Sequence, residues 1–173
     1  MSTNVPAAIN AAKVYVDGSN EVTGIAEVTL PELKFMVAEI EGFDIAGKIE
    51  EPIIGSTDVM DLVMKFSAIN GNISNINDQQ AHTFHLRAAQ QHIDSATGNA
   101  VLKGLKVDIK GKVKEFKGGT VKAGEKTETE IVISCLAYKV TLDGKEIINI
   151  DKLGFKSSIN GVDQAKRFQS LLS

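Results

Sequence analysis

The sequence has 173 residues, of which 43% are hydrophobic and 24% charged; this predicts one ordinary domain over residues 1–173 and excludes a disordered chain. The net charge of −3 and the aromatic content of 5%, with no tryptophan, argue against the clustered positive charge and stacking rings of nucleic-acid-binding proteins. No apolar run approaches the roughly 20 residues of a membrane-spanning helix, so we expect no membrane anchor.

The first part of the chain alternates between apolar and polar residues, which is typical of β-strands. A short strand over residues 14–16 is predicted to end in the turn 17–20, where Gly18 supplies a positive φ. Residues 21–30 and 33–41 then predict two strands separated by a proline. We interpret these two strands as one hairpin with a polar and an apolar face.

Residues 42–58 form a stretch that is long for a loop inside a compact domain, and such loops are usually functional or disordered. The stretch is also apolar for a solvated loop, because it contains Phe43, Ile45, Ile53 and Ile54. Exposed apolar residues that lie together usually mark interaction surfaces. We therefore predict that this segment is an extended assembly loop.

The rest of the chain predicts more strands and two helices. In order, these are a strand over 60–68, a short helix within 72–80, a long hairpin over 83–116, a hairpin of 127–142 and 145–151, and an amphipathic helix over 162–172. The predicted fold class is therefore mainly β, an antiparallel β-sandwich or barrel with a short helix and a C-terminal helix.

The predicted strands reach about 16 residues, far above the usual 5–6. A single domain of this size has difficulty covering both faces and all edges of such strands. Exposed edges pair readily with other copies, and a closed assembly removes them. The strand lengths thus indicate a sheet that is completed by oligomerisation.

Few residues suggest a chemical site. His82, His85 and His92 lie close in sequence, but a strand sends His82 and His85 to opposite faces, so they do not converge on a metal. We interpret the histidines as solvated or core-edge residues. Neither a Ser–His–Asp arrangement nor a phosphate-binding glycine loop stands out. We expect no enzymatic activity, no cofactor and no metal.

Lysines recur from Lys103 to Lys117 along the second strand of the long hairpin. This pattern is compatible with phosphate contacts, as in a stand-alone nucleic-acid-binding domain. It is also typical of the solvated face of an amphipathic strand. The acidic residues Asp108 and Glu115 are interleaved with the lysines, which favours the solvated face.

Short motifs follow one another in a fixed order along the chain. They are Val16-Asp17-Gly18, Val28-Thr29-Leu30-Pro31-Glu32-Leu33, Gly111-Lys112-Val113-Lys114-Glu115, Lys122-Ala123-Gly124-Glu125-Lys126-Thr127-Glu128, Tyr138-Lys139-Val140-Thr141-Leu142-Asp143-Gly144-Lys145-Glu146, Ile150-Asp151 and Ile159-Asn160-Gly161-Val162-Asp163. In order and spacing this series resembles the major tail tube protein of contractile-tailed phages and R-type tailocins. No single motif is specific, whereas the series covers nearly the whole chain.

The resemblance implies that the subunits form hexameric rings, in which the strands complete one large barrel around a lumen. The rings would stack into an inner tail tube that is driven through a target envelope when the surrounding sheath contracts. The implied partners are further copies of the chain, the contractile sheath protein, and the tape-measure and baseplate or tube-initiator proteins. DNA would be present only in transit. The type VI secretion tube protein, which the chain resembles more weakly, is the alternative.

The resemblance also implies where the protein is made and found. The first dozen residues lack the basic start and apolar stretch of a secretory signal. The lone cysteine, Cys135, cannot form an internal disulfide, which fits a reducing compartment. We expect assembly in the bacterial host cytoplasm and a place in a virion or tailocin tail, although the sequence does not separate a phage from a headless tailocin.

Roles for individual residues follow from the same picture. Residues 42–58 are predicted to make ring-to-ring contacts. Both polar-faced hairpins, 21–41 and 83–116, are candidates for lining the lumen. Acidic residues of the first hairpin would repel phosphates, so we predict a lumen lined by Glu27, Glu39 and Glu41, with the lysines of the second hairpin paired to acidic partners.

Overall fold

A computed structural model of the chain describes residues 3–18 and 20–173, and it consists mainly of antiparallel β-structure. The elements are β1 (Asn4–Val16), β2 (Asn20–Glu21), β3 (Ile25–Thr29), β4 (Phe35–Ile40), β5 (Ile49–Thr57), β6 (Asp61–Phe66), α1 (Gly71–Ile76), β7 (His82–Asp94), β8 (Ala100–Lys117), β9 (Thr129–Leu142), β10 (Lys145–Asp151), β11 (Lys156–Ile159), β12 (Val162–Asp163) and α2 (Lys166–Gln169). Ser19, within the predicted turn 17–20, lies outside the described residues. The predicted mainly β fold class is confirmed.

The long strands form the main sheet, in the order β12-β11-β10-β9-β8-β7-β1-β2. β7 and β8 form the long hairpin that the sequence predicts, and they pair without a register shift from His82↔Gly111 to Ile93↔Ala100. β9 turns into β10 at Asp143, which has a φ of 52° and is followed by Gly144 at 78°. Both hairpins join strands that are neighbours in the chain, so local turn chemistry is sufficient to define them.

A smaller second layer covers part of the main sheet and encloses the core. β6 pairs with the first half of β9, and β3 pairs with β6, so that the sheet folds back over itself. Apolar residues of both layers meet between them, and each large side chain buried there contributes about 1.5–3 kcal/mol. The fully buried ones include Met60, Met64, Phe66, Phe84, Val107, Ile131 and Ile133.

The hairpin predicted for residues 21–41 does not form. Gly24, with a φ of 80°, interrupts the first predicted strand, and an added Cβ there would lie 2.8 Å from the Asn70 side-chain nitrogen. β3 pairs instead with β6, and β4 pairs with β5. The prediction was wrong because both strands find partners further along the chain, which local alternation cannot reveal.

The assembly loop predicted over residues 42–58 is also wrong as a loop. Its second half is strand β5, which pairs with β4 from Ile40↔Ile49 outwards. Only the connection between these two strands is irregular. The β-branched residues that make the segment apolar are also good strand formers, and this explains why it forms a hairpin.

The C-terminal helix is much shorter than the predicted span 162–172. Val162 and Asp163 instead form β12, because Ser158 pairs with Asp163 in the ladder with β11. Asp163 then accepts the backbone N–H of Ala165 at 3.0 Å, and a helix of four residues follows. The ladder with β11 therefore overrides the helical periodicity at the start of this segment.

The main sheet leaves one long edge open. β1 runs for 13 residues instead of the three predicted, but within the described residues its outer edge meets β2 only at Tyr15 and Val16. The backbone groups along the rest of that edge have no strand beside them. Such an edge is a template for pairing with another chain.

Candidate assembly surfaces

β4, β5 and their connection form an arm, defined here as residues 35–57. It is a separate two-stranded sheet, and within the described residues neither of its strands pairs with a strand of the main sheet or of the second layer. An isolated two-stranded sheet is marginal in water by itself. Most of its large apolar side chains are exposed, and Phe43 at the tip is completely exposed. The arm thus presents apolar surface that the monomer does not bury.

The register of β4 with β5 gives the arm two different faces. Ala38 pairs with Glu51 and Ile40 pairs with Ile49, so these residues share one face. By the period of two, the apolar face of the arm comprises Met36, Ala38, Ile40, Ile49, Glu51 and Ile53. The large apolar members of this set are 40–50% exposed. Only one charged residue, Glu51, interrupts the face.

The opposite face of the arm, called here the acidic face, carries Glu39 and Glu50 together with the exposed Val37 and Ile54. Glu39 pairs with Glu50 across the two strands, and Lys48 forms an ion pair with Glu39 at 3.0 Å. Of the residues predicted to stack rings, Ile53 and Ile54 lie on opposite faces by alternation, and Phe43 and Ile45 lie in the connection. The structure thus places all four on the arm, although not on one face.

The base of the arm rests on the C-terminal helix. Gly55 has a φ of 76°, and an added Cβ there would lie 2.7 Å from a ring carbon of Phe168 and 3.4 Å from Cα of Ala165. At the same end, the backbone N–H of Asp58 donates to the carbonyl of Lys34 at 2.8 Å. Close packing at the base therefore fixes the direction in which the arm leaves the domain.

A groove of about 610 Å³ lies between β3 and the main sheet. Its lining is mostly apolar and includes Ile9, Ala12, Ile25, Ala88 and Leu105. β1, β7 and β8 supply its floor, while β3 and the residues that follow β2 supply its opposite wall. The groove is thus a part of the interface between the two layers that the packing of this chain leaves unfilled.

The polar face of the main sheet, defined here by Arg87, Lys106, Asp108, Lys110 and Lys139, points away from the core. Oδ1 of Asp108 lies 2.8 Å from Nη1 of Arg87 and 2.6 Å from Nδ1 of His85. Burial of Asp108 opposes its ionisation, but the hydrogen bonds from His85 and Arg87 prevail and lower its pKa. Lys106 and Lys110 form no ion pair within residues 3–18 and 20–173, so this face carries net positive charge.

The residues predicted to line the lumen are not brought together. Glu27 lies on β3 and pairs with Lys65 at 3.5 Å, whereas Glu39 lies on the arm and Glu41 just beyond β4. Val28 faces the core opposite Ile109, so the adjacent Glu27 points away from the polar face of the main sheet. In a closed ring, Glu27 and that face cannot both line the bore.

His82 and His85 have separate environments, as the alternation predicts for these two residues. His82 lies between two carboxylates, His85 contacts Asp108, and His92 is buried at 3% exposure with neither ring nitrogen hydrogen-bonded. In the described part of the chain, no cluster of His, Cys, Asp and Glu is arranged to hold a metal ion, and no helix has the length and apolarity to cross a membrane.

Cys135 lies in the core, where burial raises the pKa of its thiol to about 12. The thiolate is the reactive form of cysteine, so this side chain is inert at neutral pH.

Comparison with known proteins places these surfaces in a family context. Residues 6–172 match the family described as phage tail tube protein FII. The chain is 28% identical to the tail tube protein of Escherichia phage P2, over 94% of this chain and 95% of that protein. It is 22% identical to the major tail tube protein of Serratia phage KSP20, over 87% and 86% respectively.

Solved structures show a similar fold. The sheath/tube terminator of an extracellular contractile injection system, PVC, in its extended state has a TM-score of 0.54 at 11% identity, covering 79% of this chain and 96% of that one. The PVC sheath-tube complex in its extended state gives a TM-score of 0.50 at 11% identity, over 75% and 87%. The family match covers residues 6–172, nearly the whole length of this chain, and the chain therefore belongs to the phage tail tube protein FII family.

Proposed function

We propose that this protein is a structural subunit of the inner tail tube of a contractile phage tail or phage-tail-like particle. The observation that carries this proposal is the family match over residues 6–172. The similarity to tube components of a contractile injection system supports it at the level of the fold. Stacked rings form a conduit that crosses the target envelope when the sheath contracts, and the protein has no catalytic role.

The open edge of β1 supports ring formation. Pairing of this edge with a neighbouring subunit satisfies its unpaired backbone groups, and a closed hexamer leaves no edge of this kind exposed. A domain with one long free edge is otherwise at risk of uncontrolled aggregation. The ring is therefore the state in which the main sheet is complete.

The arm makes the contacts between successive rings, in which Phe43, Ile45, Ile53 and Ile54 take part. The exposed apolar surface of the arm supports this assignment, since surfaces of this kind usually mark interaction sites. Its packed base also supports it, because a rigid arm loses less conformational entropy on docking than a free loop does.

The bore is lined by the polar face of the main sheet. This assignment rests on geometry, because the second layer occupies the other side of the sheet and needs the larger circumference outside the ring. The lining predicted from the sequence, with Glu27, Glu39 and Glu41, is the competing assignment. Thiol labelling of Lys110→Cys and of Glu27→Cys in assembled tubes separates the two assignments.

The remaining partners follow from the role of a tail tube. They are the sheath around the tube, the tape-measure protein inside it during assembly, and the baseplate or tube initiator at its end. DNA passes through if the particle carries a genome. Assembly takes place in the bacterial host cytoplasm.

Negative-stain electron microscopy of the protein, co-expressed with sheath and initiator, tests the proposed function. We expect tubes of stacked rings. Replacing Ile53 and Ile54 together with Asp leaves a folded monomer, because both side chains are exposed, and is expected to abolish the tubes. A protein that stays monomeric with every initiator contradicts the tube function, and normal tubes from the double variant contradict the role of the arm.

A further inference from the structure

We propose that the apolar face of the arm docks into the groove of a second copy of this chain, with Glu51 of the arm opposite Lys103 beside the groove. The proposal rests on the proposed function of the arm as a contact between subunits. It goes further because it names the surface that receives the arm and the charge pair that sets its position.

The groove is shaped to receive a β-element. On β7 and β8, the face that packs against the core extends beyond the core. Ala88 and Leu105, which pair with each other on this face, line the groove. Leu105 is only half-buried, although it lies on the same face as the fully buried Phe84 and Val107, whereas the smaller Ala88 is buried. A two-stranded sheet with an apolar face would complete the second layer here, since sheets stack face to face at about 10 Å.

The arm is a two-stranded sheet of that kind with no layer of its own to cover it. Its apolar face is exposed in this chain, so the arm does not fill the groove of its own subunit. Where β5 meets the rest of the domain, it does so at its base, with Gly55 close to Phe168 and with contacts to β11. A second copy therefore supplies both the missing cover and the missing partner.

The charges on the two faces are complementary. Glu51 is the one charged residue on the apolar face of the arm. On the core-side face of β7 and β8, the eight positions from Leu86 to His92 and from Val101 to Val107 include one charged residue, Lys103. Neither Glu51 nor Lys103 forms an ion pair within the described part of the chain.

A desolvated carboxylate without a partner is unfavourable, so docking of the arm needs a cation at this place. Lys103 pairs in register with Gln90 and lies one core-side position beyond Leu105. The groove lining also includes Lys13, Glu21 and Glu27, but Lys13 is paired with Glu21, and Glu27 with Lys65. Lys103 is therefore the base left to meet Glu51, and one alignment of the arm brings this pair together. The Glu51–Lys103 pair thus defines one position of the arm in the groove.

A charge exchange tests this alignment in co-expressed tubes. Glu51→Lys and Lys103→Glu are each expected to reduce tube yield roughly tenfold, because like charges then meet at a desolvated contact. The double variant restores tubes if the two residues face one another. Glu50→Lys, on the acidic face of the arm, is the matched control and is expected not to rescue Lys103→Glu. Failure of the double variant to restore tubes overturns the proposal.

Disulfide trapping provides the second test, in a Cys135→Ser background. A chain that carries both Glu51→Cys and Lys103→Cys is assembled into tubes, and the tubes are treated with a copper–phenanthroline oxidant. We expect a ladder of covalently linked subunits. Glu50→Cys with Lys103→Cys is expected to give none. A cross-link from the arm to the sheath protein instead, or equal cross-linking of the control, overturns the proposal.

The contact of the arm with other subunits and its docking in this groove are tested separately. If Ile53→Asp with Ile54→Asp abolishes tubes while the charge exchange and the trapping both fail, the arm contacts other subunits but not through this groove. If the same double variant builds normal tubes, the role of the arm is itself wrong.

Discussion

The imidazole Nδ1 of His82 lies 2.6 Å from Oδ2 of Asp17, and this contact ties the end of β1 to the start of β7. The other ring nitrogen, Nε2, lies 2.7 Å from Oδ1 of Asp78. Asp17 also accepts the backbone N–H of Thr83 at 3.0 Å. The hydrogen bond with Asp17 is the main reason that the pKa of His82 is raised, and His82 in turn lowers the pKa values of both carboxyl groups.

A pH-dependent stability follows from this cluster. The raised pKa of His82 contributes stability that is complete below its ordinary value of 6.5 and is lost as the pH rises through the folded value. The lowered pKa values of Asp17 and Asp78 contribute stability above 3.8, which is lost as the pH falls further. The cluster therefore stabilises the fold most between those two values.

The measurement is urea unfolding of the wild-type chain and of His82→Asn at pH 5.5 and pH 8.5. We expect the wild type to exceed the variant by a larger margin at pH 5.5. An equal margin at the two values shows that the imidazolium form contributes nothing.

A second prediction concerns two glycines on β8. Gly111 lies at a register shift against β9, where an added Cβ would collide with the backbone carbonyl oxygen of Ser134. Gly111→Ala is expected to lower the free energy of unfolding by roughly 1–3 kcal/mol, as overpacking does. Gly104→Ala is the matched control, because nothing lies within 4 Å of its added Cβ. Equal effects of the two substitutions, measured by chemical denaturation, contradict the close approach at Gly111.

A third prediction compares one substitution at two methionines. Met64 is completely buried in the core, whereas Met36 lies 50% exposed on the apolar face of the arm. Met64→Ala is expected to cost about 2–5 kcal/mol of stability through the lost burial and the cavity. Met36→Ala is expected to change monomer stability by less than about 0.5 kcal/mol, yet to reduce tube yield. The pair separates folding from assembly, and the interpretation fails if Met36→Ala destabilises the monomer while tubes form normally.

A fourth prediction decides which surface lines the bore. Lys110→Cys and Glu27→Cys are compared in assembled tubes, in a Cys135→Ala background. A bulky thiol reagent that cannot diffuse along the bore is expected to spare position 110 away from tube ends and to label position 27. The opposite pattern supports the acidic lining predicted from the sequence and removes the polar face of the main sheet from the bore.

Local patterns were sufficient for much of the fold. The hairpin of β7 with β8 and the turn at Asp143-Gly144 were predictable because the paired strands are neighbours in the chain. The sequence also predicted strands that are too long for one domain to cover all their faces and edges. The apolar character of Phe43, Ile45, Ile53 and Ile54 predicted an assembly loop, and in the structure these residues lie on the arm, where Ile53 and Ile54 belong to strand β5.

The sequence by itself determined the mainly β class, the long hairpins and the tail tube family, because alternation and motif order are local properties. Only the tertiary structure decided that β3 pairs with β6, since this choice of strand partner depends on burial contributed by distant residues. With β3 taken up in this way, β4 pairs with the next strand of the chain, β5. That pairing separates Glu27 from Glu39 and Glu41, and it detaches the arm from both layers. It also leaves the groove uncovered, so the surfaces that remain for assembly follow from long-range packing and not from any segment of the chain alone.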